Sequence, residues 1–257
     1  MRLHLHESIG YALAARDHWR PSAVAQPHMN TPATPRYQLL TFDVYTALAD
    51  VEGSLAPMLR EGLPPHVDSL ELVRTWRRKQ LEYALISNSL DHGRVPFGTI
   101  TRRALDYALG RATVVLSETA LQNLVAAWEQ LQLWPEAESV LTEIAGRGYR
   151  IGLLSNGDET MLRALAARWP LRCHDIFASD RAGYYKPHPS VYALPWPALG
   201  LAADQMLHIA GSATDVMGAK SAGLRCVWVN RGHDRLLDAR LAPDHEVEDL
   251  RGLLSIL

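Results

Sequence analysis

Short apolar runs and longer amphipathic segments alternate along most of this chain. Residues 37–43, YQLLTFD, form the first apolar run and are typical of a buried strand in a parallel sheet. Comparable short runs lie at residues 149–154, 176–178, 206–210 and 226–230. Amphipathic segments with a helical period stand between them. Strands that alternate with helices predict the α/β class, here a doubly wound parallel sheet with a Rossmann-like core.

The long segment after the first predicted strand has no strand-like alternation. Residues 67–86 carry apolar side chains near the 3.6-residue period, with arginine and glutamate between them. Residues 99–109 and 117–131 follow the same pattern, and Ser117 is suited to cap the second of these helices. We therefore expect residues 51–134 to form an all-helical cap inserted into the α/β core.

The remainder of the chain divides into the core and an extension. The core is predicted to comprise residues 37–50 and 135–257, with a closing helix at residues 249–257. Residues 1–36 contain several histidines and prolines but no compact apolar stretch, so they do not resemble a secretory signal. We expect this segment to be a poorly ordered N-terminal extension.

Composition excludes several classes of protein. The chain has 26 lysines and arginines against 28 acidic residues, a net charge of −2, which gives no electrostatic reason to expect nucleic acid or an anionic membrane as partner. Its apolar runs are far shorter than the roughly 20 residues of a membrane-spanning helix. The two cysteines, Cys173 and Cys226, are isolated, which favours free thiols in a reducing cytoplasm over a disulfide framework or a zinc site.

Polar residues that follow the predicted strands provide the candidate chemistry. Asp43 ends the first strand, Ser155 and Asn156 end the next, and Asp215 follows the strand at 206–210. The carboxyl ends of parallel strands share one edge of the sheet, so these side chains can meet in one crevice, with Lys186 between them. One carboxylate can serve as a nucleophile that the lysine keeps ionised, and the second can orient or activate water. Any one of these residues alone could be a cap or a surface charge; the ordered series indicates a site.

The series resembles the haloacid dehalogenase superfamily. The matching segments are Phe42-Asp43-Val44-Tyr45, Leu154-Ser155-Asn156-Gly157, Tyr185-Lys186-Pro187 and Asp215. Phosphatases of this superfamily carry a second aspartate where Tyr45 stands, and usually an acidic magnesium ligand where Gly211 stands. Tyrosine at this position resembles the L-2-haloacid dehalogenase branch, in which halide leaves and no acid is required. The predicted cap helix adds a similar segment, WRRKQLEY, in which Arg77 matches the halide-side arginine of that branch.

The resemblance implies a hydrolytic dehalogenase of short 2-haloacids that acts through an aspartyl ester. Asp43 would displace halide from C2, beneath Arg77. Lys186 would neutralise Asp43, and Asp215 would help water to attack the ester. The implied substrate-binding residues are Tyr45, Ser155, Asn156, Tyr192 and Ser212. The resemblance implies no metal or other cofactor, a small 2-haloacid as the only ligand, and a homodimer in the cytoplasm.

The chain departs from the family pattern next to both carboxylates. After Tyr45 the family usually has Gly-Thr, whereas this chain has Thr46-Ala47, so the threonine hydroxyl near the nucleophile is lost unless Thr46 replaces it. In the last loop, Ala210 and Ser212 stand where dehalogenases typically place Ser and Asn. These changes allow an altered substrate or a lower activity.

Two alternatives therefore stay open. The first is a magnesium-dependent phosphatase of the same superfamily, which Tyr45 and Gly211 disfavour. The second is a non-catalytic relative that binds a small carboxylate or a protein partner. The missing hydroxyls favour it, and the joint retention of Asp43, Arg77, Lys186 and Asp215 disfavours it. His208 lies in a predicted strand, where we expect a hydrogen-bonded core histidine rather than a catalytic one.

Overall fold

A computed structural model describes residues 36–90, 93–170 and 172–257 of the chain. Within them, six parallel strands form one sheet that helices flank, which confirms the predicted α/β class. The predicted N-terminal extension lies outside the described residues apart from Arg36. The strands are β1 (Leu39–Phe42), β2 (Arg150–Ser155), β3 (Asp175–Ala178), β4 (Met206–Ala210), β5 (Arg225–Val229) and β6 (His245–Val247). The helices are α1 (Val51–Arg60), α2 (Ser69–Ser89), α3 (Phe97–Arg111), α4 (Glu118–Ala126), α5 (Ala137–Gly146), α6 (Glu159–Arg168), α7 (Pro189–Tyr192), α8 (Pro195–Leu199) and α9 (Ala213–Ser221).

The strand order places the end of β1 at the centre of the sheet. The order is β3-β2-β1-β4-β5-β6, so the chain builds outwards from β1 on one side and then crosses to β4 on the other. Phe42 pairs with Ile209 of β4 and with Leu153 of β2, which makes the three strand ends nearly level. Ligands of open α/β sheets bind at such a switch point. All four residues of β1 are buried, which explains why three of them are apolar and why the fourth, Thr41, has its hydroxyl hydrogen-bonded inside the sheet.

Helices α1 to α4 lie between β1 and β2 in the chain, in the segment predicted to be helical. Asp68 caps α2 by accepting hydrogen bonds from the main-chain N–H groups of Leu70 and Glu71. The buried stripe of this helix includes Trp76, whose ring meets Trp128 edge-to-face at 5.4 Å between centroids. The division of the chain at residues 50 and 135 stays a prediction, since the cap and the core pack as one unit.

The structure differs from the predicted elements in three places. The helix predicted at residues 117–131 ends at Ala126, and a single 3₁₀ turn, Ala127–Glu129, follows it. The closing segment is a 3₁₀ helix, Leu250–Ser255, rather than an α-helix; it is short and contains Gly252, which weakens helical propensity. Strand β6 was not predicted because it has only three residues, of which two are exposed and polar.

Candidate active site

Asp43 is the first residue after β1, and both of its carboxylate oxygens have partners. A five-residue π-helical turn, Val44–Leu48, follows it, and this turn brings Thr46 back to the carboxylate. The main-chain N–H and the hydroxyl of Thr46 both donate to Oδ2, over 3.0 and 2.5 Å. The other oxygen, Oδ1, lies 3.3 Å from the Nζ atom of Lys186. A threonine hydroxyl therefore does bind the carboxylate of Asp43, from one position earlier in the chain than in the family pattern.

Lys186 bridges Asp43 to the second carboxylate, Asp215. Its ammonium group lies 3.0 Å from Oδ1 of Asp215, and both side chains are only 5% exposed. Asp215 stands in the first turn of α9, and the hydroxyl of Tyr192 donates to its Oδ1 over 2.8 Å. The structure thus brings together three of the predicted catalytic residues and one predicted binding residue.

The electrostatic balance of this cluster keeps Asp215 ionised. Burial alone would raise the pKa of Asp215, but the charge of Lys186 and the contact with His208 outweigh it and hold that pKa well below its usual range. Burial, together with the adjacent charge of Asp215, raises the pKa of Tyr192 well above its ordinary value, so this phenol remains a hydrogen-bond donor. A carboxylate with so low a pKa is a weak base, and its charge is available to hold Lys186.

Arg77 extends from α2 over the site and is held by aromatic rings. Its guanidinium carbon lies 5.3 Å from the centroid of Tyr45 and 5.6 Å from that of Trp128, and Nη1 donates to Oε1 of Gln80 over 2.5 Å. Burial lowers the pKa of Arg77, whereas the nearby charge of Asp43 raises it. The Nε–H group has no partner among the described residues. A guanidinium with unused donors is suited to receive an anion.

A cavity of about 240 Å³ separates α2 from the strand ends and contains most of the predicted residues. Its polar lining includes Asp43, Thr46, Arg77, Asn156, Lys186, Ser212 and Asp215, and its apolar lining includes Tyr45, Leu81 and Leu85. Depressions of about 590 and 530 Å³ lie elsewhere on the cap and contain none of the predicted site residues. The volume suits a small molecule.

Three of the predicted binding residues differ in their access to this cavity. Asn156 lines it and accepts a hydrogen bond from the main-chain N–H of Lys186 at Oδ1, over 2.7 Å. Ser212 also lines it, and its hydroxyl oxygen accepts from the main-chain N–H of Asp215 at the start of α9. The hydroxyl of Ser155 is fully buried beside the N–H of Gly157 and does not reach the cavity.

Tyr45 contributes its ring rather than its hydroxyl. The ring stacks on Phe97 at 5.3 Å and lines the cavity. The hydroxyl is buried beside Gly157, where a Cβ atom would come within 2.5 Å of it, and it has no partner among the described residues. Burial raises the pKa of Tyr45 far above its ordinary value. The hydroxyl therefore donates no proton into the cavity.

Gly211 lies directly against the turn that carries Thr46. A Cβ atom at this position would stand 2.4 Å from the main-chain nitrogen of Ala47 and 2.5 Å from the carbonyl carbon of Thr46. Atoms cannot approach so closely, so any side chain at position 211 would displace the turn. The backbone next to Asp43 therefore leaves no room for an acidic side chain at position 211.

Contacts between the cap and the core hold the loop that carries Lys186. The side-chain amide of Asn88 donates to the carbonyl oxygen of Tyr185 over 2.7 Å and accepts from its N–H over 2.8 Å. Arg94 pairs with Asp158 over 2.6 Å and stacks 4.2 Å above the ring of Tyr185. These roles could not be predicted from the sequence, because Asn88 and Tyr185 lie 97 positions apart and no local pattern relates them.

Asp234 is a further residue that sequence reasoning missed. It lines the cavity from the loop after β5. The side chain of Asn230 holds this loop, since it accepts from the main-chain N–H of Asp234 and donates to the carbonyl oxygen of Asp234. His233, just before it, has a positive φ of 49°. An acidic residue in a polar loop carries no sequence signal of its own.

Neither a metal cluster nor a membrane span is found in the part of the chain that the structure describes. No group of three or more histidine, cysteine, aspartate or glutamate side chains there is arranged to hold a metal ion. No helix there is long and apolar enough to cross a bilayer.

The fold and the site are those of a hydrolase with an aspartate at the sheet's switch point beneath a helical cap. Residues 92–223 match the family model of haloacid dehalogenase-like hydrolases. The chain is 30% identical over 219 residues to the (S)-2-haloacid dehalogenase of Pseudomonas sp. (strain YL), covering 84% of this chain and 93% of that protein. It is 33% identical over 194 residues to the (S)-2-haloacid dehalogenase of Xanthobacter autotrophicus, covering 75% and 74%. The chain belongs to the haloacid dehalogenase-like hydrolases.

A solved structure agrees with this assignment. The L-2-haloacid dehalogenase from Xanthobacter autotrophicus with chloropropionic acid covalently bound superposes with a TM-score of 0.76 at 27% identity. The match covers 86% of this chain and 98% of that one.

Proposed function

We propose that this hydrolase cleaves the carbon–halogen bond of short L-2-haloacids and releases a 2-hydroxy acid and halide through an ester of Asp43. The observation that carries the proposal is the arrangement around Asp43: Thr46 holds one oxygen, Lys186 faces the other, and Arg77 lines the same cavity. The dehalogenases among the relatives and the covalent chloropropionic acid complex of one neighbour support it.

In the first step, Oδ1 of Asp43 would attack C2 of the haloacid. Oδ2 already accepts two hydrogen bonds from Thr46, so Oδ1 is the oxygen with more electron density to share. A C–O bond forms, the C–halogen bond breaks, and the halide leaves with the bonding pair. The buried guanidinium of Arg77, with unused donors, would stabilise that anion. Displacement from the back inverts C2.

In the second step, water would add to the ester carbon of Asp43. Negative charge then develops on Oδ2, where the N–H and hydroxyl of Thr46 form a ready oxyanion hole. Asp215 would orient the water, and the tetrahedral intermediate would collapse by breaking the bond between Cγ and Oδ1. The water oxygen remains in Asp43. One proton of the water ends on the hydroxyl of the product, and the other is released to solvent as the carboxylate of Asp43 ionises again.

The substrate carboxylate would bind beside the strand ends. Asn156 and Ser212 both line the cavity there, next to the N-terminal turn of α9. Ser155, whose hydroxyl is buried, would shape this loop from behind. Leu81 and Leu85 of the cap would contact the alkyl part of the acid, which limits its length in a cavity of about 240 Å³.

The geometry disfavours the phosphatase alternative. A residue with an acidic side chain cannot replace Gly211 without displacing the turn at Thr46 and Ala47. The hydroxyl of Tyr45 is buried against Gly157, and burial raises its pKa far above the ordinary value, so it is a poor source of the proton that a leaving alcohol needs.

The test is release of chloride or bromide from L-2-halopropionate, with the D-enantiomer and the Asp43→Asn variant as controls. We expect halide from the L-acid alone and none from the variant. Arg77→Lys keeps the charge but loses the fork of donors, and we expect it to slow halide release. A generic phosphate ester with added magnesium provides the competing assay. Phosphate release that depends on magnesium, without halide release, would overturn the proposal in favour of the phosphatase.

A further inference from the structure

His208 is a buried titratable residue that the proposed chemistry does not use. It lies in β4 with none of its surface exposed, two residues before the end of the strand. Its Nε2 atom is 3.0 Å from Oδ2 of Asp215, and its Nδ1 atom is 2.9 Å from the hydroxyl oxygen of Thr41 in β1. A chain of contacts therefore runs from one central strand, through the neighbouring strand, to the second carboxylate of the site.

The partners of the imidazole fix its hydrogen bonding. The pKa of Asp215 is well below its usual range, so its oxygens only accept hydrogen bonds. Nε2 of His208 must then carry a proton and donate it to Asp215. Thr41 is fully buried, and its hydroxyl can satisfy Nδ1. Asp215 therefore determines the position of the proton, and Thr41 of β1 holds the ring in its orientation.

The contact with His208 completes the set of hydrogen bonds to the carboxylate of Asp215. Among the described residues, Tyr192 donates to Oδ1, while Lys186 approaches both oxygens and also serves Asp43. Without His208, Oδ2 would keep only the shared ammonium group, and the carboxylate could rotate about its χ2 bond. Lys186 would then lose a fixed counter-charge.

Neither the last residue of β4 nor Ser212 after it donates a side-chain hydrogen bond to the carboxylate of Asp215. Ala210 has no donor in its side chain, and the hydroxyl of Ser212 is engaged by the N–H of Asp215 rather than by its carboxylate. These are the two positions at which the sequence departs from the dehalogenase pattern. His208 reaches the carboxylate of Asp215 from inside the sheet.

We propose that His208, held by Thr41, is a positioning residue that fixes Asp215 and, through it, Lys186 against Asp43. This inference rests on the proposed function, because its kinetic consequence is a slower turnover of the haloacid. His208 does not line the cavity, so it acts on the turnover of bound substrate and not on binding.

Three variants separate positioning from packing. His208→Phe removes both hydrogen bonds but fills the space; His208→Gln keeps an N–H donor close to the position of Nε2; Thr41→Val removes only the contact with Nδ1. For His208→Phe we expect kcat to fall by about ten- to hundredfold, the loss typical of one hydrogen bond to a charged group, with KM nearly unchanged. His208→Gln should recover most of that loss, and Thr41→Val should fall in between. Thermal unfolding of each variant shows whether it is folded.

The proton position provides a readout that does not depend on activity. Long-range proton–nitrogen NMR correlations distinguish the two ring nitrogens, and the signals missing in His208→Gln assign His208. We expect a proton on Nε2 in the wild type. Any of three results would overturn the inference. The ring could be protonated at Nδ1 alone, or His208→Phe could keep the full kcat. The third result is an equal loss of kcat in the Phe and Gln variants that parallels their melting temperatures. If the wild type released no halide, the proposed function would fail, while the NMR result would still decide whether His208 donates to Asp215.

Discussion

The hydroxyl of Thr46 is the contact whose removal tests the proposed chemistry most directly. Thr46→Val deletes the 2.5 Å hydrogen bond to Oδ2 of Asp43 and retains the branched shape and the main-chain N–H donor at 3.0 Å. In the ester, Oδ2 is the carbonyl oxygen, and it becomes an oxyanion when water adds. The substitution therefore removes one of the two donors from this oxyanion and leaves the attacking oxygen, Oδ1, untouched.

The expected magnitude follows from the charge on the acceptor. A hydrogen bond to a charged group is worth about 1.5–3 kcal/mol, which corresponds to roughly 10–150-fold in rate. The loss should fall on hydrolysis of the ester more than on its formation, because the first step decreases the charge on Asp43 and the second concentrates charge on Oδ2. The ester should accumulate.

Rapid mixing with L-2-bromopropionate measures this directly. For Thr46→Val we expect a burst of bromide equal to the enzyme concentration, followed by a slow steady-state rate of bromide release. Mass spectrometry of the intact protein should show the mass of the enzyme that carries one covalent ester. Thr46→Ser keeps the hydroxyl and serves as the matched control, which should show neither effect. A Thr46→Val enzyme that turns over at the wild-type rate, with no burst, would refute the assignment of Oδ2 as the oxyanion.

Further predictions concern residues that line or support the cavity. Tyr45→Phe removes a buried hydroxyl with no partner among the described residues, so stability should stay equal or rise by about 1 kcal/mol in denaturant unfolding, with halide release retained. Gly211→Ala places a Cβ atom 2.4 Å from the main-chain nitrogen of Ala47 and should cost about 1–3 kcal/mol in the same assay. Asp234→Asn removes a negative charge from the cavity wall, so KM for an anionic haloacid should fall, and the difference should shrink as salt is added. Because Asp215 has a lowered pKa in the folded protein, its contribution to stability is complete above the ordinary aspartate pKa and disappears as pH falls through the lowered value. The free energies of unfolding of Asp215→Asn and the wild type should therefore converge as the pH is lowered.

The parts of this protein that were predictable are those that a local pattern determines. Each core strand with a buried apolar run was found from its run, and the residue after β1 could be placed at the switch point by topology alone. The three-residue β6 has no such run and pairs only through its main chain with β5. An edge strand of this kind is defined by its neighbour, not by its own composition.

The hydrogen bonds of the site were less predictable than its charged groups. Thr46 reaches Asp43 only because the turn after β1 is π-helical, and a single sequence does not reveal that geometry. Asn88 and Arg94 contact the loop around Tyr185 across the boundary between cap and core. Such contacts depend on how segments far apart in the chain pack together, which no local spacing encodes.

The departures of this chain from its family share one physical explanation. Asp43 directly follows one central strand and Asp215 lies in the first turn of the helix after another, so the positions that must be stabilised are set by the sheet and its connections. The donors that stabilise them can come from any element within reach. Here the turn supplies Thr46 one position earlier than the family pattern, and β4 supplies His208 in place of the loop after it. A comparison of motifs counts both changes as losses, whereas a count of hydrogen bonds at each carboxylate finds a side-chain donor from elsewhere in the chain, Thr46 at Asp43 and His208 at Asp215. Activity in such relatives should follow that count rather than the identity of the motif residues.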